Sequence, residues 1–121
     1  MSEYLDIADA HVRPISPTII EIDLTPRADT ALLKDHFKEH PIVPGVIQLR
    51  WIFEFAKAHL DSHLPETSYT IRNLKFSAPM IPNTDYLLRI ESVGARLAFR
   101  TTSGSGHATK PVTSGVIEFD S

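Results

Sequence analysis

Between Gly45 and Pro65 the chain holds neither glycine nor proline, so no backbone preference interrupts a helix over that stretch. Val46, Ile47, Leu49, Trp51, Ile52, Phe53, Phe55, Ala56, Ala58 and Leu60 cover most of such a helix's circumference. A helix that is apolar nearly all round is a buried one. Its polar residues are ordered: Arg50, Glu54, Lys57 and Asp61 follow i, i+4, i+7, i+11 spacing and form one narrow stripe. Gln48 and His59 fall on roughly the opposite side. Whatever else the chain builds must enclose this helix and leave one strip of it uncovered.

The flanking segments read as strands. Ile19 to Leu24 is β-branched and partly alternating, a strand signal, and Pro14 and Pro17 before it fit an edge or a bend. Ala28 to Leu33 reads as a short helical turn that Asp29 or Thr30 can cap. After the helix come Tyr69–Phe76, a turn over Pro79–Asp85, and Tyr86–Val93, in which Tyr86, Leu88 and Ile90 alternate with Leu87, Arg89 and Glu91. Arg96–Thr102 and Val112–Phe119 follow, with the loop Ser103-Gly104-Ser105-Gly106 between them. The pattern is a strand, a turn, one long buried helix and three or four antiparallel strands. An antiparallel sheet curled around a single central helix satisfies it, which is an α+β architecture.

Composition narrows the functions. A chain of 121 residues suits one domain, 1–121, with no internal repeat. The absence of cysteine excludes disulfides, thiolate chemistry and cysteine-based metal sites. A formal net charge of -3 gives no sign of a polyanion-binding surface and speaks against a nucleic-acid partner. Met1-Ser2-Glu3-Tyr4 lacks a basic region followed by an apolar run, so no signal peptide is expected. No run of ~18 apolar residues offers a membrane span, and the expected location is cytoplasmic.

The segment His36-Phe37-Lys38-Glu39-His40-Pro41-Ile42-Val43-Pro44-Gly45-Val46 resembles the hotdog-fold 3-hydroxyacyl-[acyl-carrier-protein] dehydratases. Their signature runs His-Phe-Pro-x-x-Pro-x-x-Pro-Gly and leads at once into the central helix. The continuation Val46-Ile47-Gln48-Leu49-Arg50-Trp51 is similar to the dehydratase-like branch of aryl-polyene biosynthesis. Phe76-Ser77-Ala78-Pro79 and Pro82-Asn83-Thr84-Asp85 are similar to the Phe-x-x-Pro and Pro-Gly-Asp turn of hotdog enzymes. The resemblance covers most of the chain from Asp29 onward and implies a single hotdog domain over 1–121.

Dehydration of a 3-hydroxyacyl thioester needs a base, an acid and donors to the thioester oxygen. The resemblance puts His36 at the position of the catalytic histidine, a residue whose ordinary pKa suits proton exchange near neutral pH. It implies oxyanion donors in the backbone N–H groups of Gly45 and Val46, where free N–H groups and the helix dipole favour negative charge. The related dehydratases carry an aspartate or glutamate fourteen residues after the histidine; here that position is Arg50, and an arginine is a poor proton donor. Three readings stay open. Glu54, one turn further and ~6 Å along the axis, serves as the acid. Arg50 and Glu54 form an i, i+4 salt bridge and the dehydratase is inactive. Or Arg50 binds an anion or polarises a carbonyl for other thioester chemistry. Lys38 and Glu39 replace the family's usual Pro and Gly and read as a solvated loop.

No cofactor and no metal are expected: His36 and His40 precede Pro41, which disfavours the helical geometry of a metal pair, and they lack a third ligand. His11, His59, His63 and His107 have no motif around them. Trp51 reads as core or interface packing. The resemblance implies dimerisation edge to edge with sites between subunits, as a homodimer or as a heterodimer with a hotdog homologue. The expected partner is an acyl-carrier-protein or coenzyme A thioester. The alternatives to a dehydratase are a thioesterase, in which Glu54 or Asp35 activates water, and an inactive acyl-binding or partner subunit.

Overall fold

The computed structural model describes residues 8–27, 42–60, 68–104 and 109–119. Its elements are β1 (Ala8–Ser16), β2 (Ile19–Pro26), α1 (Gly45–His59), β3 (Tyr69–Phe76), β4 (Tyr86–Val93), β5 (Arg96–Ser103) and β6 (Lys110–Phe119). The strands form one sheet in the order β1-β2-β4-β5-β6-β3, antiparallel at every pairing. The chain leaves β2, runs through α1 to β3 at the far edge, and returns to β4 beside β2.

Period-two patterning selects the face that α1 covers. Ile20, Ile22 and Leu24 pair with Ile90, Leu88 and Tyr86, so six apolar side chains stand directly opposite one another. Ile90 then faces Phe99, and Leu97 faces Ile117. All of these are buried. Onto them α1 lays Ile47, Trp51, Ile52, Phe55 and Ala56. Trp51 is fully buried, and truncating such a residue to alanine costs roughly 3–5 kcal/mol. Phe53 clasps the helix to the sheet edge, its ring centroid 5.0 Å from that of Tyr69 and 6.1 Å from that of Phe119.

Two local features shape β3 and its surroundings. Asn73 has φ 56° at an irregularity that breaks the β3–β6 register between Arg72 and Lys75. Across from it, a Cβ on Gly115 would lie 2.8 Å from Phe99 Cζ and 3.4 Å from Leu74 Cα, so only glycine fits there. The turn before β4 is anchored at both ends. Asn83 donates its N–H to the Pro26 carbonyl (2.7 Å), and the Thr25 hydroxyl donates to Asp85 (2.6 Å). Asn83 has φ 62°, which asparagine tolerates better than most residues; it stands where the similar turn of hotdog enzymes has glycine.

The structure decides one sequence expectation and differs from two others. β1 is a full edge strand, where the prolines fitted an edge or a bend. It is mostly exposed, so it lacks a buried alternating face, and Pro14 is tolerated because an edge strand leaves some N–H positions unpaired. The helix ends at His59, short of Pro65: Leu60 turns to extended backbone (φ -101°, ψ 134°) while its N–H still reaches Ala56. Finally, the sheet covers one side of α1 and not most of it. Val46 is 73% exposed, and Ala58 is exposed as well. A single open sheet supplies one buried face, so the apolar residues beyond it stay in reach of solvent. Gln48 lies on the buried face and His59 does not. The turn expected over Ala28–Leu33 falls outside the described residues.

Candidate functional site

The helix start is held by its own N-cap residue. Pro44 is the N-cap (φ -61°, ψ 148°), and no side chain caps the helix. The Pro44 carbonyl takes the N–H groups of Ile47 and Gln48, each at 3.1 Å. Among the described residues, the N–H groups of Gly45 and Val46 meet no acceptor. No acidic residue occupies the first turn, so the positive end of the helix dipole is not neutralised by its own sequence.

Gln48 fixes this end of the helix. Its side chain is buried, donates Nε2–H to the Val43 carbonyl at 3.1 Å, and accepts the Thr113 hydroxyl at 2.5 Å. The helix is thereby joined both to the Pro-rich loop before it and to β6. The loop is held a second time by Val43 N–H on the Met80 carbonyl (2.7 Å).

The rim is apolar. The Phe76 ring rests against Gly45, where an added Cβ would come within 2.5 Å of Phe76 Cζ. Gly45 therefore permits the close approach that any side chain would block. Phe76 is half exposed, and Ile42, Val46 and Ile81 are exposed too. Such a rim would exclude water from the Gly45 and Val46 N–H groups beneath any apolar ligand that covered it.

Further along α1, Arg50 Nη2 lies 3.3 Å from Glu54 Oε1, with the Arg50 side chain 54% exposed and Glu54 20% exposed. This is the i, i+4 pair that the spacing suggested. The pair sets Glu54 against a cation one turn back on its own helix. His36 falls outside the described residues, as do Asp35, Lys38, Glu39, His40, Asp61, His63 and His107. The structure thus brings Gly45 and Val46 together with Phe76, and separately joins Arg50 to Glu54. His11 is exposed on β1 and His59 is exposed at the end of α1. The sequence reading overlooked Gln48 and Thr113 as anchors; a glutamine in a run of buried apolar residues was the available signal.

Among the described residues, one antiparallel sheet laid against one long helix, with a Pro-Gly helix start, defines a hotdog domain of the dehydratase class. The chain belongs to the ApeI-like family, described as ApeI dehydratase, which matches residues 13–119, and it is accordingly dehydratase-like. Among solved structures it is similar to a chain of the dehydratase heterocomplex ApeI:P from Xenorhabdus doucetiae, with TM-score 0.77 and 24% identity over 94% of this chain and 98% of that one. It is also similar to an uncharacterized protein from Erwinia carotovora subsp. atroseptica, with TM-score 0.70 and 25% identity over 94% of each chain. A GphF dehydratase shares the fold at TM-score 0.52 and 16% identity, over 95% of this chain and 44% of that one. No protein of curated function matches.

Proposed function

We propose that this chain is a hotdog subunit, one domain over residues 1–121, that eliminates water from 3-hydroxyacyl thioesters in fatty-acid or polyene-type biosynthesis. One observation carries the reading: α1 begins at a glycine with two N–H groups free of any described acceptor, inside an apolar rim. A thioester oxygen set against Gly45 and Val46 would take hydrogen bonds that strengthen as negative charge develops on it. His36 takes the proton from C2, the C3–O bond breaks, and the hydroxyl leaves as water with a proton from an acid. The product is a trans-2-enoyl thioester. The thioester is borne by an acyl carrier protein or by coenzyme A, and the reaction is cytoplasmic. Among the described residues no helix is long and apolar enough to cross a membrane.

The assembly is edge to edge, with a second copy or a hotdog homologue. Among the described residues β3 pairs only with β6, and Tyr69, Leu74 and Phe76 are exposed along it. An apolar free edge of this kind calls for a covering partner. The relative from Xenorhabdus doucetiae belongs to a heterocomplex, which supports a heterologous partner.

A second reading follows from the Arg50–Glu54 ion pair. If Glu54 stays paired, the acid must come from the partner subunit, and this chain binds the acyl group without completing the chemistry. The deciding experiment is hydration of a trans-2-enoyl carrier-protein thioester, followed as loss of conjugated absorbance, with free-thiol release recorded in parallel. Activity that His36→Ala abolishes supports the dehydratase. Thiol release that Asp35→Asn or Glu54→Gln abolishes replaces it with a thioesterase. Neither activity, across several chain lengths and from a folded assembly, favours the partner subunit.

A further inference from the structure

On the face of the sheet turned away from α1, the strand registers line up one row of polar side chains. Arg13 stands opposite Glu21, Glu21 opposite Arg89, Arg89 opposite Arg100, Arg100 opposite Ser114, and Ser114 opposite Lys75. The row crosses all six strands and holds four cations and one carboxylate. Glu21 is already committed, to Arg89 at 3.1 Å and to Arg13 at 3.7 Å, and Arg13 also meets Asp23 at 3.1 Å. Among the described residues, Arg100 and Lys75 have no carboxylate within 4.0 Å. They are the cross-strand neighbours of Ser114 on its two sides.

This arrangement is unfavourable as it stands. Arg89 and Arg100 are direct cross-strand partners, and like charges directly opposite destabilise a sheet pair. The chain as a whole carries a net charge of -3, so the cations are concentrated here against the global balance. The row also runs beside a depression of about 420 Å³, whose lining includes Asn73, Lys75, Arg89, Glu91, Arg100 and Ser114. The depression has a structural cause. The irregularity at Asn73 interrupts pairing between β3 and β6. Glu91 is the one carboxylate in the lining.

The geometry points to an anion site in this depression that takes a phosphate group. Arg100 supplies a planar fork, Lys75 a point charge and Ser114 a hydroxyl, a donor set suited to phosphate oxygens. The site lies on the opposite face of the sheet from the start of α1, so it stands or falls independently of the thioester chemistry.

The test is titration of the full-length protein with pyrophosphate at constant ionic strength, read by amide chemical shifts and by melting temperature. Saturable shifts centred on Lys75, Arg100 and Ser114 are expected, with affinity about tenfold or more weaker in Lys75→Ala and Arg100→Ala. Arg100→Gln separates a ligand site from a purely structural row. In phosphate-free buffer it should melt at or above the wild type, because it relieves repulsion by Arg89. At saturating pyrophosphate it should melt below the wild type. Shifts that do not saturate, shifts unchanged in the variants, or an Arg100→Gln protein less stable without ligand and equally responsive to it would overturn the site. Repeating the titration with a soluble phosphomonoester and with anionic phospholipid vesicles distinguishes a free phosphate compound from a lipid headgroup as the source.

Discussion

Gly45→Ala tests the helix start most directly. The new Cβ would sit 2.5 Å from Phe76 Cζ, 2.9 Å from Cε1 and 3.3 Å from Cε2. Two of those distances are impossible, so the ring must move. Phe76 is 50% exposed and the contact is with the far end of its side chain, so it can swing outward without disturbing the core. Replacing glycine by alanine in a helix gains up to ~1 kcal/mol, while the displaced ring loses part of its packing. The two effects oppose, and the net change in stability should stay within about 1 kcal/mol. Activity should respond differently. The methyl and the displaced ring both intrude on the space in front of the Gly45 and Val46 N–H groups. Loss of one such donor costs roughly 10²- to 10³-fold in turnover, so hydration of an enoyl thioester should fall by about that factor. Gly45→Ala combined with Phe76→Ala removes the clash. If the bare glycine is what matters, the double variant stays inactive. Full activity in Gly45→Ala, or recovery in the double variant, would refute the assignment of this helix start as the oxyanion site.

Gln48→Leu should destabilise by about 2–4 kcal/mol in chemical denaturation, because it leaves the buried Val43 carbonyl and Thr113 hydroxyl without partners, and adding Thr113→Val should recover part of that loss. Glu54→Gln should change stability by less than about 1 kcal/mol, since Arg50 is mostly exposed and such pairs contribute little; a collapse of hydration activity in the same variant would make Glu54 the acid. Arg50→Asp restores a carboxylate at the position used by the related dehydratases, and a rise of about tenfold or more in single-turnover hydration is expected if the acid is what this chain lacks. Gly115→Ala meets the buried Phe99 ring and the Leu74 backbone, neither free to yield, and should cost about 1–3 kcal/mol of unfolding free energy.

The parts of the fold that could be read from the sequence are those where one face is buried. Tyr86–Val93 alternates because Tyr86, Leu88 and Ile90 pack beneath α1, and its bounds agree with the expected strand. The helix announced itself through an unbroken apolar run and a Pro-Gly start. β1 was illegible because its side chains are mostly solvent-facing, so no period marks it. The end of α1 was illegible for another reason: no glycine or proline stands at His59 or Leu60, and the chain leaves the helix there without a local stop signal. In the site, the i, i+4 spacing foretold the Arg50–Glu54 contact. It could not foretell that Phe76, thirty-one residues beyond Gly45, would close over it, since that contact depends on where β3 joins the sheet. The net charge likewise hid the outer-face row, because a sum over residues carries no information about register.

The two halves of the proposed chemistry are built to different standards. The oxyanion half is made of backbone, and it is fixed by Gln48, Thr113 and Met80 through bonds buried in the fold. Any sequence that keeps the Pro-Gly start and those anchors keeps the donors. The acid half depends on one side chain at one helical position, and there the chain has an arginine tied to the next carboxylate on the same face. In an edge-to-edge pair of unlike hotdog subunits, one copy can retain its acid while the other keeps only what binding requires. A helix start with intact donors beside an ion-paired acid position is what that division of labour predicts. If the proposed pairing holds, mixing this chain with a hotdog homologue that carries the acid should raise hydration activity above the sum of the two alone, and Arg50→Asp should reduce the dependence on that homologue. Equal activity of this chain with and without the partner would remove the argument for shared chemistry and leave Glu54 as the acid to account for.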